Sequence, residues 1–287
     1  MEKKAFILGV IAIAAAGCAK NEINIIHHDG YTIVSQTLGP ELGYNEDSGV
    51  RILNIDGFAF KDLDKDGELD IYEDWRRPVT ERARDLASKM PVERICGLML
   101  YSSAVDAMTA ELTPKQTVYL RDDYIRHMLV RNIADAATGA EWSNRVQAFC
   151  EAEPFGIPSN NSTDPRNYTN GQANTNTYKP EPDGEFDPDV ARKISLWPRE
   201  VGMAATFVPE IARRHGEIVS SEYRALGITT ALSPQADLST DPRWRRFYGT
   251  FSESPELNRD IVREYCDAFQ TTEGAKDGWG RGSVDWV

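Results

Sequence analysis

The sequence predicts an α/β protein built on the repeating unit of a β/α barrel. Residues 209–226 carry apolar side chains on one face, which indicates an amphipathic helix. Residues 227–232 follow as a run rich in β-branched residues between Gly and Pro, which is typical of a buried strand. After a charged and aromatic loop, Ser254 and Pro255 begin another helix with a capping hydroxyl and an early proline. A loop that follows a barrel strand is where such folds bind ligands, so this loop is a candidate site.

The other predicted elements precede that unit in the chain. Helices are predicted over residues 78–90, from Thr113 and Pro114 onward, and over 136–152. Short apolar runs predict strands over residues 94–101 and 124–130.

Composition excludes some classes of partner. The chain has 287 residues and a net charge of −13, which argues against binding to nucleic acid or to an acidic membrane surface. No organic cofactor is expected. Cys96, Cys150 and Cys266 are odd in number and widely spaced within apolar segments, so they are predicted to be buried thiols without a disulfide or metal role.

Residues 1–18 resemble the signal peptide of a bacterial lipoprotein. Lys3 and Lys4 precede an apolar stretch that is too short to span a bilayer, and small residues then lead to Cys18. Lipidation of Cys18 would anchor the protein to the bacterial cell envelope and would be its only link to a membrane. The alternative is an ordinary signal peptide with a cysteine nearby.

Residues 19–55 are predicted to be a tether and an irregular lead-in, and residues 56–77 contain a calcium loop like that of an EF-hand. Carboxylates at alternate positions, a glycine at position six and a final glutamate match the twelve-residue loop that folds oxygen ligands around Ca²⁺. The predicted ligands are Asp62, Asp64, Asp66, the carbonyl of Glu68, and Glu73. No amphipathic helix precedes the loop, so it would be a lone structural site; the alternative is an acidic turn that binds nothing.

The candidate loop carries the resemblance to a known family. Residues 233–257 resemble glycoside hydrolase family 3, the retaining exo-β-glucosidases and β-xylosidases, whose pattern is close to A-P-x-x-D-x-x-x-D-P-R-W-G-R-x-x-E-T-F-G-E-D-P. Asp237, residues 241–244 and Arg246 fall in register, whereas Arg245 replaces a Gly and Gly249 replaces a Glu. The alternative for this loop is a set of salt bridges without chemistry.

The resemblance covers roughly residues 56–287 and implies a substrate site. In the family, an Asp six residues after the Pro of a G-I-P strand holds two hydroxyls of the innermost sugar, and Asp164 stands at that spacing from Pro158. The resemblance further implies that Arg246 donates to one of those hydroxyls and that Trp197 could stack on a sugar face. The alternatives are that Asp164 only completes a turn and that Trp197 belongs to the core.

The resemblance also implies that residues 78–287 are the N-terminal part of a barrel domain. Ser283, Val284, Asp285 and Trp286 look like the family's nucleophile motif but contain an insertion and come too early. The nucleophile, the acid/base and a substrate-binding Lys-His pair are therefore expected beyond Val287, leaving a partial (β/α)8 barrel. The expected function is hydrolysis of a β-glucoside or β-linked oligosaccharide. The alternative is a non-catalytic, calcium-stabilised lipoprotein that binds carbohydrate.

Overall fold

A parallel sheet forms the centre of the molecule in the computed structural model, which describes residues 20–164, 195–270 and 285–286. Its strands lie in the spatial order β6-β7-β8-β9-β10, and each pairs in parallel with the next along the chain. The bounds are β6 (Val105–Ala107), β7 (His127–Ile133), β8 (Asn160–Thr163), β9 (Thr230–Ala231) and β10 (Asp285–Trp286). Strands that follow one another in chain order are the arrangement of a β/α barrel, as predicted.

Within the described residues, five helices lie in the connections between these strands, and two more precede β6. Their bounds are α1 (Val79–Lys89), α2 (Val92–Leu98), α3 (Pro114–Arg121), α4 (Ala136–Ala152), α5 (Glu200–Ala204), α6 (Glu210–Ala225) and α7 (Pro255–Gln270). The core between helices and sheet includes Trp142, Val146, Tyr223, Ile261 and Phe269. The predicted helices over 78–90, 136–152 and 209–226 and those beginning at Pro114 and Pro255 are confirmed.

Capping explains where two of these helices begin. Thr113 and Gln116 form a reciprocal capping box at the start of α3, so both backbone N–H groups of that box have acceptors. Asp135 accepts from the backbone N–H of Thr138 and begins α4 in the same way.

Residues 19–55 are not irregular, and that prediction is wrong. They contain an antiparallel sheet of β1 (Ile23–His27), β2 (Tyr31–Gln36) and β3 (Leu42–Asn45), followed by a hairpin of β4 (Arg51–Ile55) with β5 (Phe58–Asp62). The buried face of β2 carries Thr32 and Gln36 as well as Val34. The Gln36 amide bonds both backbone groups of Ala59, so a polar side chain occupies a core position. The strand therefore lacks the alternation of apolar and polar residues by which it could be predicted.

The predicted strand over residues 94–101 is a second error. Residues 92–98 form helix α2, and the chain becomes extended only at Tyr101, which bridges in parallel to His127. A Cβ on Gly97 would lie 2.2 Å from the backbone oxygen of Asp123, so this glycine lets the helix pack directly on the backbone before β7. A short apolar run does not distinguish a strand from one or two turns of buried helix.

Smaller differences concern strand limits and one thiol. β7 begins at His127 instead of Tyr124, whose backbone has a φ of 55°, and β9 is shorter than the predicted 227–232. Cys150 is buried as predicted, but Cys96 is exposed on α2, which corrects that prediction. The signal peptide with Cys18 lies outside the described residues. Across the part of the chain that is described, no helix combines the length and apolarity needed to cross a bilayer.

Candidate functional site

Asp164 lies immediately after β8, at the carboxyl end of the parallel sheet. Its negative charge acts on Tyr101, whose pKa is raised mainly by burial and also by the charge of Asp164. The Tyr101 hydroxyl is hydrogen-bonded to Ser162 Oγ, and its ring stacks on His127 with 5.8 Å between ring centroids. The Asp164 carboxylate is therefore close enough to the Tyr101 hydroxyl for its charge to act on it.

Polar side chains form a row across the same face of the sheet. Thr230 Oγ1 donates to Asn160 Oδ1 at 2.6 Å, and the Asn160 amide nitrogen lies 3.2 Å from His127 Nδ1. Asn160 and Ser162 are alternate residues of β8, so they share a face, whereas Asn161 points back to Ser143 of α4. Sequence reasoning missed this row; the polar composition of residues 160–163 was its signal.

Arg246 lies on the loop that follows β9, the strand next to β8. Its Nη2 donates to Gln235 Oε1 at 2.8 Å. A Cβ on Gly249 would lie 3.2 Å from the same Gln235 oxygen. Gly249 replaces the Glu of the family pattern, and Gln235 here gives the guanidinium an acceptor in that vicinity.

The rest of the charged loop supports, in part, the alternative that this loop is held by salt bridges without chemistry. Arg243 donates through Nε and Nη2 to the carboxylate of Asp241, and this pairing lowers the pKa of Asp241. The Arg243 side chain is 89% exposed, so the pair contributes little to stability. Asp241 and Arg243 therefore shape the loop through a surface ion pair.

Trp197 lies half-buried against the core. Its ring meets the ring of His215 edge-on, with centroids 5.2 Å apart, and its Nε1 donates to Ser195 Oγ at 3.0 Å. Burial lowers the pKa of His215 to about 3, so this imidazole is neutral and serves packing. These contacts favour the core alternative for Trp197, and its stacking on a sugar stays a prediction.

The acidic loop over residues 62–73 brings its carboxylates together. Ligand oxygens of Asp62, Asp64 and Asp66 lie within 4.8 Å of one another, and so do those of Asp64, Asp70 and Glu73. Asp62 is fully buried; its Oδ2 accepts from the Gly67 N–H at 3.1 Å, whereas its Oδ1 has no hydrogen-bond partner. A buried carboxylate oxygen without a partner is costly unless a cation meets it.

The pKa of Asp64 also indicates that the carboxylates of this loop are crowded. Burial raises the pKa of Asp64 to about 6, with further contributions from its hydrogen bond to Asp70 and from the charges of Glu73 and Asp66. Glu73 accepts backbone N–H groups from Leu63 and Asp70, which holds it in the final position of the loop. Asp70 was not among the predicted ligands, although position nine of such loops often contributes an oxygen through water.

The residues predicted for the two sites lie in two separate parts of the fold. Asp164 and Arg246 lie on the loops after adjacent strands β8 and β9, and Asp62, Asp64, Asp66 and Glu73 converge in the lead-in. Parallel strands paired in chain order are the arrangement of β/α-barrel proteins, a class in which ligands bind at the carboxyl ends of the strands.

Comparisons with known proteins identify the family. A model of the N-terminal domain of glycosyl hydrolase family 3 matches residues 188–280. The chain is 36% identical over 263 residues to a periplasmic β-glucosidase/β-xylosidase from Dickeya chrysanthemi, covering 82% of this chain and 38% of that protein. It is 32% identical over 205 residues to β-glucosidase C from Emericella nidulans, covering 70% and 31%. The chain belongs to glycoside hydrolase family 3.

Solved structures agree on the fold. A β-glucosidase from Erythrobacter marinus superimposes with a TM-score of 0.56 at 19% identity, over 76% of this chain and 26% of that one. A family 3 β-N-acetylglucosaminidase from Paenibacillus gives a TM-score of 0.50 at 19% identity, over 63% and 31%. The chain thus spans well under half the length of the curated relatives and solved structures named here.

Proposed function

We propose that this chain contributes the sugar-binding part of an exo-acting, retaining glycoside hydrolase of the β-glucosidase type. The observation that carries the proposal is the position of Asp164, at the carboxyl end of β8 and beside the loop that holds Arg246. The names of the relatives from Dickeya and Emericella, a β-glucosidase/β-xylosidase and a β-glucosidase, support the reaction class. They favour an enzyme over a non-catalytic carbohydrate-binding protein.

In this proposal the chain binds and orients the sugar. The Asp164 carboxylate accepts hydrogen bonds from two hydroxyls, each contributing roughly 1.5–3 kcal/mol because the acceptor is charged. Arg246, steadied by Gln235, donates to one of the same hydroxyls. A retaining mechanism also needs a nucleophile and an acid/base about 5–5.5 Å apart. We assign neither role to a residue of this chain.

The test is hydrolysis of aryl β-D-glucoside and aryl β-D-xyloside by the full-length product of the gene that encodes this chain. Turnover with retention at the anomeric carbon is the expected outcome. Tight binding of glucose without any turnover would instead support the carbohydrate-binding alternative.

We also propose that residues 62–73 hold one structural Ca²⁺ ion. The residues fit the ion because Ca²⁺ takes six to eight oxygen ligands, and Asp62, Asp64, Asp66 and Glu73 offer carboxylates while Glu68 offers its carbonyl. The buried, unpartnered Oδ1 of Asp62 supports this choice over an acidic turn that binds nothing. Asp70, although it pairs with Lys89 at 2.6 Å, completes the set through its remaining oxygen or a water.

Removal of calcium is expected to destabilise the full-length gene product. A ligand that binds only the native state contributes about 2.7 kcal/mol at a hundredfold excess over its dissociation constant, so EGTA should lower the melting temperature. Asp66→Ala should abolish the difference between calcium and EGTA, whereas Glu93→Ala, an exposed acid on α2, should preserve it. Identical melting curves of the unmodified protein with and without chelator would contradict the assignment.

The protein is further proposed to be anchored in the bacterial cell envelope through lipid on Cys18. The name of the periplasmic relative from Dickeya supports an envelope location. Cys18→Ser should move the protein from the membrane fraction to the soluble periplasm almost completely, because a mature lipoprotein is held by several acyl chains together. Fractionation with immunodetection measures this shift, and an unchanged distribution would indicate a different anchor.

A further inference from the structure

The acidic loop is fastened to the barrel by its central lysine. Lys65 lies between the predicted ligands Asp64 and Asp66 in a left-handed conformation, with a φ of 68°. Its Nζ nevertheless donates to backbone carbonyls at the carboxyl end of helix α4, those of Glu151 at 3.2 Å and Ala152 at 3.3 Å. The last carbonyls of a helix lack partners within the helix and carry partial negative charge, so a lysine ammonium is well suited to them.

Two neighbouring contacts strengthen the same junction. Leu63 packs on Gly156, where an added Cβ would lie 2.9 Å from Leu63 Cδ2. Lys61, at the end of β5, forms an ion pair with Glu151, whose other oxygen accepts from the Asn45 N–H at 2.7 Å. The loop and the lead-in therefore hold both the last turn of α4 and the short turn that follows it.

That turn leads directly into the strand of the candidate sugar site. Residues 154–156 form a 3-10 turn, and β8 begins only four residues later and ends next to Asp164. Between them, the Ile157 carbonyl accepts from Arg126 Nε at 2.9 Å, and the Gln147 amide bonds both backbone groups of Ser159. The turn and β8 are therefore joined by a short segment whose backbone groups have fixed partners.

A bound Ca²⁺ ion would supply the positive charge that the acidic loop lacks. Lys65 is adjacent in sequence to two of the acids, but its ammonium serves helix carbonyls, and Lys89 reaches only Asp70. Without a divalent cation, the clustered carboxylates repel one another and oppose the backbone conformation that directs Lys65 and Leu63 at α4.

We propose that calcium binding in the 62–73 loop fixes the segment over residues 150–164, and with it Asp164, and that Lys65 is the positioning residue that couples the two. The inference rests on the calcium site proposed above. It assigns to that site a structural control over sugar binding, so that the metal sets the affinity for the substrate without touching it.

The test is hydrogen–deuterium exchange of the full-length gene product, followed by mass spectrometry of peptides that cover 62–73 and 150–164. In the unmodified protein, Ca²⁺ in place of EGTA should slow exchange at least about tenfold in both peptides. Lys65→Met keeps most of the apolar stem but removes the ammonium, so Ca²⁺ should still protect 62–73 and should protect 150–164 much less. Leu63→Ala should weaken the same coupling through the other contact.

Lys115→Met is the matched control, because Lys115 Nζ donates to Ser103 Oγ at 3.1 Å on a different part of the barrel. It should respond to Ca²⁺ like the unmodified protein. Protection confined to 62–73 in the unmodified protein would overturn the coupling and leave the metal site standing. No effect of Ca²⁺ on either peptide would overturn the site and the inference together. Because exchange needs no turnover, the result is independent of the proposed hydrolase activity.

Discussion

Asp164→Asn should lower kcat/KM for an aryl β-glucoside by at least about a hundredfold in the full-length gene product, which corresponds to about 2.7 kcal/mol. The substitution keeps the size of the side chain but removes its charge and turns one acceptor into a donor. A sugar hydroxyl that donates to the carboxylate then faces an NH₂ group, so a charge-assisted hydrogen bond is lost.

The measurement is steady-state hydrolysis with a chromogenic glucoside, together with the melting temperature of each variant. Asp29→Asn is the matched control, because Asp29 is exposed in the turn between β1 and β2, and its kcat/KM should equal that of the unmodified enzyme. A normal kcat/KM for Asp164→Asn, with a normal melting temperature, would show that the sugar is bound elsewhere.

The parts of the fold that the sequence predicted correctly have local causes. Helices α3, α4 and α7 each follow a cap whose donor and acceptor lie within three residues of each other, as with Asp135 and Thr138. The clustering of the carboxylates in the acidic loop is similarly local, because their spacing and Gly67 bring them together. A pattern that contains all of its own partners can be recognised without knowledge of the tertiary structure.

The errors occur where distant partners decide the conformation. Gln36 of β2 is buried because Ala59, far along the chain, supplies its hydrogen bonds, so no apolar alternation reveals the strand. Helix α2 was predicted as a strand because its packing depends on a backbone oxygen of Asp123, which the run itself does not contain. Likewise, nothing near Lys65 in the sequence indicates that it reaches the end of α4.

The candidate site likewise contains residues that the sequence predicts and residues that depend on distant partners. The position of Asp164 after a strand and of Arg246 on the next loop was predictable once the family resemblance was recognised. Tyr101 and Asn160 were not, since the effect of Asp164 on Tyr101 and the bond between Asn160 and Thr230 come from the pairing of strands that are far apart in the sequence. Gln235, the acceptor for Arg246, occupies a position that the family pattern leaves open.

Trp142→Ala should lower the free energy of unfolding by about 4 kcal/mol, within the 3–5 kcal/mol observed when a large aromatic residue is removed from a core. Trp142 is 1% exposed on α4 and packs in the main core, and its Nε1 donates to Gln116 Oε1 at 3.4 Å. The substitution leaves a cavity that rigid helices fill only in part, and it weakens the support of Gln116, which also bonds the Asp106 carbonyl of β6. Domains are stable by only about 5–15 kcal/mol, so little margin would remain.

Equilibrium urea denaturation of the full-length gene product measures this effect as a lower midpoint with an unchanged slope. Trp244→Ala is the matched control: Trp244 is 36% exposed on the loop after β9, so its loss should change stability by less than about 1 kcal/mol. Trp142→Phe, which retains most of the volume, should cost roughly 1–2 kcal/mol and should remain folded if the alanine variant does not.

Equal midpoints for Trp142→Ala and Trp244→Ala would mean that α4 does not hold the barrel core together. The coupling of the acidic loop to β8 past the end of α4 would then lose its mechanical basis, because a helix that is not anchored in the core cannot pass a displacement on.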